Sequence, residues 1–347
     1  MSLPVILYRY EGSPYAHKVD NALTLKRIPH QIVSVSPVLP RPEVADILGI
    51  PYRRIPILAI GNDIYCDTSL IVSTLERRFP ASQGFGTLFP ARNNGGTPDT
   101  GLIKAFSKFY IDRSLFSVAA LLLPWEKLPP AFLKDRSERC PNECKGYCCL
   151  KRQGSCPTFL PYGKSHPVFI SWKNEVTSRQ VLVEEQLKDG RTWLFDTQAP
   201  SLADISIHFV LAWALGFPAA KPLRQDGRFP LTHKWLSALT AYLKDHHQKP
   251  TVINGAEAGN LVFSSPHEGY SIVGFDTTEA QRLGVKLNDV VSVTPDDTGR
   301  SYPTTGKLVA LSTEEVVLEI VAKKGTVRCH FPRLGYVIGI PKTVAKL

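Results

Sequence analysis

The sequence predicts three parts in series: an α/β domain, an all-helical domain and a small β-rich domain. Three observations carry this reading. Short apolar runs alternate with helical patterns over residues 1–82, longer helical patterns occupy 101–250, and β-branched runs separated by Gly, Asp or Pro turns fill 251–347. The Gly- and Pro-rich stretch 83–100 reads as a linker.

In the first part, Pro4-Val5-Ile6-Leu7-Tyr8 has the apolar character of a buried strand, and Gly12-Ser13-Pro14 breaks it. Ser followed by Pro fits a helix N-cap with Pro at the first helical position, which predicts a helix over about 14–27. Gln31–Val35 is a second strand. Ile55-Pro56 precedes a third, Ile57–Ile60, and Gly61-Asn62-Asp63 turns the chain into a fourth, Ile64–Cys66. A proline at the start of a sheet strand suggests a rigid, cis bond. Asp67-Thr68 caps a helix over 69–79.

These segments carry candidate chemistry. A hydroxyl at a helix N-terminus sits where free N–H groups favour negative charge, so Ser13 is placed to stabilise a thiolate. The plainer reading of Ser13 is a cap alone, and both stay open. Asp67 is an acceptor for a ligand ammonium, and the helix behind it is an anion site.

Strand, helix, strand, Ile-Pro, hairpin and an Asp-Thr-capped helix resemble the thioredoxin-like N-terminal domain of cytosolic glutathione S-transferases. The resemblance implies glutathione as co-substrate, with Arg54, Ile55, Pro56, Asp67 and Thr68 at its binding positions. It places Ser13 at the thiol-activating position of the serine- and cysteine-type classes such as zeta and omega, with Lys18-Val19 as the basic-Val pair that follows. Tyr8 ranks second, near the catalytic tyrosine of other classes. A second match lies at Ser201-Leu202-Ala203-Asp204, a capping box that the family carries on the central buried helix of its all-α C-terminal domain. Asp204 is thus expected to serve folding rather than catalysis. The helical pattern from Leu102 to Leu123 corresponds to the helix lining the family's acceptor pocket, which makes Phe109, Tyr110, Arg113 and Phe116 candidates; for each, packing is the plainer role.

Residues 136–172 depart from that plan. Five of the seven cysteines, Cys140, Cys144, Cys148, Cys149 and Cys156, lie here without the paired spacing of a zinc site, so no metal is expected. The segment reads as an irregular Cys-rich loop or as sequence that is not native coding sequence. In 251–347, runs at 261–263, 285–293, 306–311, 316–320, 327–331 and 336–338 predict a small β-barrel or β-sandwich, with one short helix capped by Thr277. Such tails resemble those of fungal transferase-like proteins, and docking, dimerisation or covering the active site are its candidate jobs.

The net charge of +10 is spread without a basic stripe or a nucleic-acid motif, so nucleic acid is not an expected partner. No run of 18 apolar residues predicts a membrane span, the N-terminal residues lack signal-peptide character, and the cysteine pattern suggests a reducing, cytoplasmic setting. The reaction implied is addition of glutathione thiolate to a small electrophile. A glutathione-dependent cis–trans isomerase and a non-catalytic interaction module remain alternatives, and the resemblance implies a homodimer.

Overall fold

The computed structural model describes residues 3–137 and 167–341. The first region runs β1 (Val5–Arg9), α1 (Pro14–Lys26), β2 (Gln31–Ser34), α2 (Pro42–Ala45), β3 (Ile57–Ile60), β4 (Asp63–Cys66) and α3 (Thr68–Arg78). β1 pairs parallel with β2 and antiparallel with β3, and β4 pairs antiparallel with β3. This is the thioredoxin-like arrangement.

Strand alternation splits the sheet between two cores. Val5, Leu7, Leu58 and Ile60 join one core with α1 and α3, whereas Ile6, Tyr8, Ile57 and Ala59 join a core on the opposite face. The helical region packs on the first face. It comprises α4 (Thr100–Ala105), a π-helical stretch Phe106–Leu115, α5 (Phe116–Ala119), α6 (Pro130–Ser137), α7 (Pro167–Gln186), α8 (Leu202–Leu215), α9 (Lys221–Arg224) and α10 (Pro230–His246). α8 is buried over nearly its whole length, and its capping box forms as expected. Asp204 Oδ2 accepts from the Ser201 amide (2.8 Å) and hydroxyl (2.7 Å), and Oδ1 accepts from the Leu194 amide (2.9 Å) and Trp235 Nε1 (3.1 Å). With four donors and no exposure, Asp204 ties the loop before α8 to α10.

The last region runs β5 (Thr251–Val252), α11 (Gly255–Ser264), α12 (Thr277–Leu283), β6 (Val290–Pro295), β7 (Thr304–Leu311), β8 (Glu315–Ala322), β9 (Gly325–Pro332) and β10 (Tyr336–Gly339). The strands expected as a barrel or sandwich do not stand apart. β9 pairs parallel with β4, β5 pairs parallel with β2, and one ten-stranded sheet results in the order β10-β6-β7-β8-β9-β4-β3-β1-β2-β5. The free edges of the thioredoxin-like sheet are thereby covered from the same chain.

Three finer expectations are corrected. The run at 261–263 is helical, because Asn254 and Glu257 form a capping box and Ala258 and Val262 turn one buried face inward. Gly259 lets α11 lie close to the loop after α2: a Cβ there would stand 2.6 Å from Ile47 Cγ2. The cap of α12 is Asp276, whose side chain accepts from the Glu279 amide at 3.0 Å, rather than Thr277. In the 285–293 run the strand begins at Val290, after a turn with Asn288 at φ 72. Of the Cys-rich segment, residues 138–166, which carry all five of its cysteines, lie outside the described residues.

A buried ionic network fastens β9 to β4. His330 Nδ1 is 2.6 Å from Glu315 Oε1 and its Nε2 is 3.0 Å from Asp63 Oδ1. Asp63 also receives Arg78 (2.6 Å) and the Glu268 amide (2.6 Å), while Arg77 bridges Glu315 (3.0 Å) and Glu268 (2.8 Å). Three cations therefore meet three carboxylates. Burial alone would lower the His330 pKa, but the two flanking carboxylates outweigh it and raise it above 6.5.

Candidate functional site

The sheet register assembles the site. Tyr8 on β1 lies opposite Ile57 on β3, and Ile57 lies opposite Cys66 on β4. The turn after β1, the residues before β3 and the residues after β4 thus emerge at one end of the sheet. That end collects Ser13, Ile55-Pro56 and Asp67-Thr68.

Ser13 caps α1. Its Oγ accepts the Ala16 amide at 3.3 Å, which leaves the hydroxyl proton free to be donated elsewhere, and the residue is 2 % exposed. Ile55-Pro56 is cis. Asp67, at φ 77, caps α3: Oδ1 accepts the Ser69 amide (2.9 Å) and hydroxyl (2.6 Å).

Tyr8 is not brought to this cluster. Its alternation with Leu7 turns the ring to the opposite face of the sheet, where it is fully buried. Its hydroxyl has no hydrogen-bond partner among the described residues, and burial pushes its pKa far above the usual range. Alternation alone would have predicted this separation, since Leu7 faces α1.

Residues from outside the first region surround Asp67. Lys108 Nζ lies 3.3 and 3.4 Å from its two oxygens and 3.1 Å from Ser69 Oγ, and the Tyr336 hydroxyl donates to Oδ2 at 3.3 Å. Burial would raise the Asp67 carboxyl, but Lys108, the two Ser69 donors and Arg54 together hold it below its ordinary value. Tyr52 and Tyr336 share a 2.6 Å hydroxyl contact. Arg54 bonds the Thr298 carbonyl at 2.7 Å and pairs with Asp297, so the β6–β7 loop closes one side. The sequence carries no signal linking position 108 to 67. Tyr336 stands in the expected strand run 336–338, but its destination was not readable.

The helical region supplies the other wall. Lys18, buried on α1, pairs with Asp112 at 2.9 Å, and the Tyr15 hydroxyl donates to the Asp112 carbonyl at 2.9 Å. Phe116 packs 4.6 Å from Tyr15 and 5.8 Å from Trp213, measured between ring centroids, and Tyr110 stacks on Phe106 at 5.2 Å. Both rings thus stand in aromatic contacts of the helical region. Phe109 is 51 % exposed. The Arg113 side chain lies outside the described set. A cavity of about 280 Å³ lies between α3, the π-helical stretch and the β-rich region, lined by Ser69, Lys108, Phe109, Leu202, Glu314 and Leu334 among others. It touches two partners of Asp67 and none of Ser13, Ile55 and Pro56.

Comparison with known proteins bears on the domain and the fold. Residues 7–83 match the family model described as "Glutathione S-transferase, N-terminal domain", and residues 173–248 match "Domain of unknown function (DUF7962)". A glutathione S-transferase-like protein from Pseudomonas syringae shares the fold with a TM-score of 0.71 at 24 % identity, covering 96 % of this chain and 99 % of that one. A glutathione S-transferase from Methylobacillus flagellatus with glutathione bound aligns at TM-score 0.46 and 19 % identity, over 71 % of this chain and all of that one (100 %). Prostaglandin E synthase 2 of Danio rerio is 35 % identical over 75 residues, 21 % of this chain and 19 % of its own length. Among the described residues, no single helix is long and apolar enough to cross a membrane. Residues 7–83 thus match the N-terminal domain of glutathione S-transferases, and the chain shares its overall fold with a glutathione S-transferase-like protein.

Proposed function

We propose that this protein binds glutathione across the sheet end and uses its thiolate as a nucleophile toward a small electrophile. The observation that carries the reading is the convergence of Ser13, Ile55 and Asp67-Thr68 imposed by the β1–β3–β4 register. The ligand thiol would lie against α1, where the Ser13 hydroxyl donates to sulfur and the helix N-terminus favours the anion. The sulfur electron pair then forms the bond to the acceptor carbon, and the displaced pair leaves with a leaving group or is protonated. Ser13 is a donor and forms no covalent bond. The γ-glutamyl carboxylate is assigned to the α3 N-terminus at Thr68, the cysteinyl backbone to Ile55, and Arg54 borders the mouth. A homodimer, implied by the family, belongs to the same proposal and is read by sedimentation.

One observation favours a second reading, a non-catalytic interaction module: Ser13 is almost fully enclosed and both Asp67 oxygens already have partners. Calorimetric titration of the purified protein with reduced glutathione, beside Asp67→Ala and Thr68→Val, separates the two. Micromolar-to-millimolar binding weakened in both variants supports the thiol site. Absence of binding moves the assignment to the interaction module.

A further inference from the structure

We propose that Lys108 is a built-in occupant of the ammonium subsite at Asp67, so that the site prefers a thiol peptide presenting a carboxylate with no neighbouring ammonium. This deepens the glutathione reading and rests on it. Asp67 Oδ1 already accepts from the Ser69 amide, the Ser69 hydroxyl and Lys108, and Oδ2 from Lys108 and Tyr336. A carboxylate oxygen accepts about two hydrogen bonds, so an incoming ammonium finds no free lone pair. It would also stand beside the Lys108 cation and pay like-charge repulsion in a partly buried setting.

A carboxylate meets the opposite conditions. Lys108 and Ser69 both line the cavity, so an anion entering there can touch the ammonium directly. The N-terminus of α3 adds its own attraction for negative charge. Neither Lys108 nor Tyr336 belongs to the thioredoxin-like region: one comes from the π-helical stretch and the other from β10. The preference is therefore imposed by the two appended regions.

The test compares two probes by calorimetry: glutathione, and its analogue lacking the γ-glutamyl amino group. The wild type should bind the deaminated analogue about tenfold more tightly, the scale of one charge-assisted contact. Lys108→Met should reverse the order, and Lys108→Arg, which keeps the cation, should retain it. A wild type that favours glutathione, with a ratio unmoved in Lys108→Met, overturns the proposal while leaving the glutathione reading intact. Binding of neither probe overturns both.

Discussion

The two ends of β4 carry the same residue type with opposite fates. Asp63, at the start of the strand, is 1 % exposed and locked between His330, Arg78 and a backbone amide. Asp67, just past the other end, caps a helix beside a cavity and is held by two side chains that arrive from distant regions. The first is structural because its partners, His330, Arg78 and the Glu268 amide, belong to the buried network that joins β9 to β4. The second is a candidate site because two of its partners, Ser69 and Lys108, line a cavity through which a ligand can approach. The environment, not the residue, separates them.

Disrupting the buried end should have the largest effect. Asp63→Ala leaves Arg78 without its carboxylate and His330 with Glu315 alone, and a loss of about 3–5 kcal/mol in denaturant unfolding is expected. A loss under about 1 kcal/mol would mean that the network does not hold β9 to β4. At the other end, Ser13→Ala should raise the barrier for thiol addition by about 2–4 kcal/mol while removing only about 1 kcal/mol of stability as a lost cap. An unchanged rate would remove Ser13 from the mechanism.

The pH response sharpens the contrast. The folded pKa of His330 is raised, so its stabilisation is complete below the ordinary value of 6.5 and is lost as pH rises through the folded value. Asp63 and Glu315 are lowered, because His330 and the arginines outweigh burial, so their contribution is lost only as pH falls below the ordinary values of 3.8 and 4.5. Melting temperature should therefore be highest between about pH 4.5 and 6.5 and decline as pH rises above 6.5, and His330→Gln should flatten that decline. A smaller effect than at Asp63 is expected at the other end, where Lys108→Met removes one charged partner of Asp67 but leaves the Ser69 and Tyr336 donors, for a loss of about 1–3 kcal/mol in denaturant unfolding.

What was legible in the sequence follows the same division. Caps are local chemistry, so Ser13, Asp67 and the Ser201–Asp204 box were readable from a few adjacent residues, and the β3–β4 hairpin from its turn. Contacts across long separations were not. The pairing of β9 with β4 joins residues more than 260 positions apart, and nothing in Val327–Phe331 distinguishes a strand that extends the first sheet from one that builds its own. Lys108 and Tyr336 reach Asp67 for the same reason. Leu261-Val262-Phe263 was misread because a three-residue apolar run fits either period, and the deciding signal was the Asn254–Glu257 box seven residues upstream.

The most direct test of the central claim is the thiol pKa of bound glutathione, measured by ultraviolet difference titration with wild type and Ser13→Ala in parallel. A thiol held at the α1 N-terminus should ionise well below about 8.5 in the wild-type complex and return toward that value in Ser13→Ala. A bound thiol that titrates at its free value in both proteins would contradict the account, and would leave the sheet end as a peptide-binding surface without thiol activation.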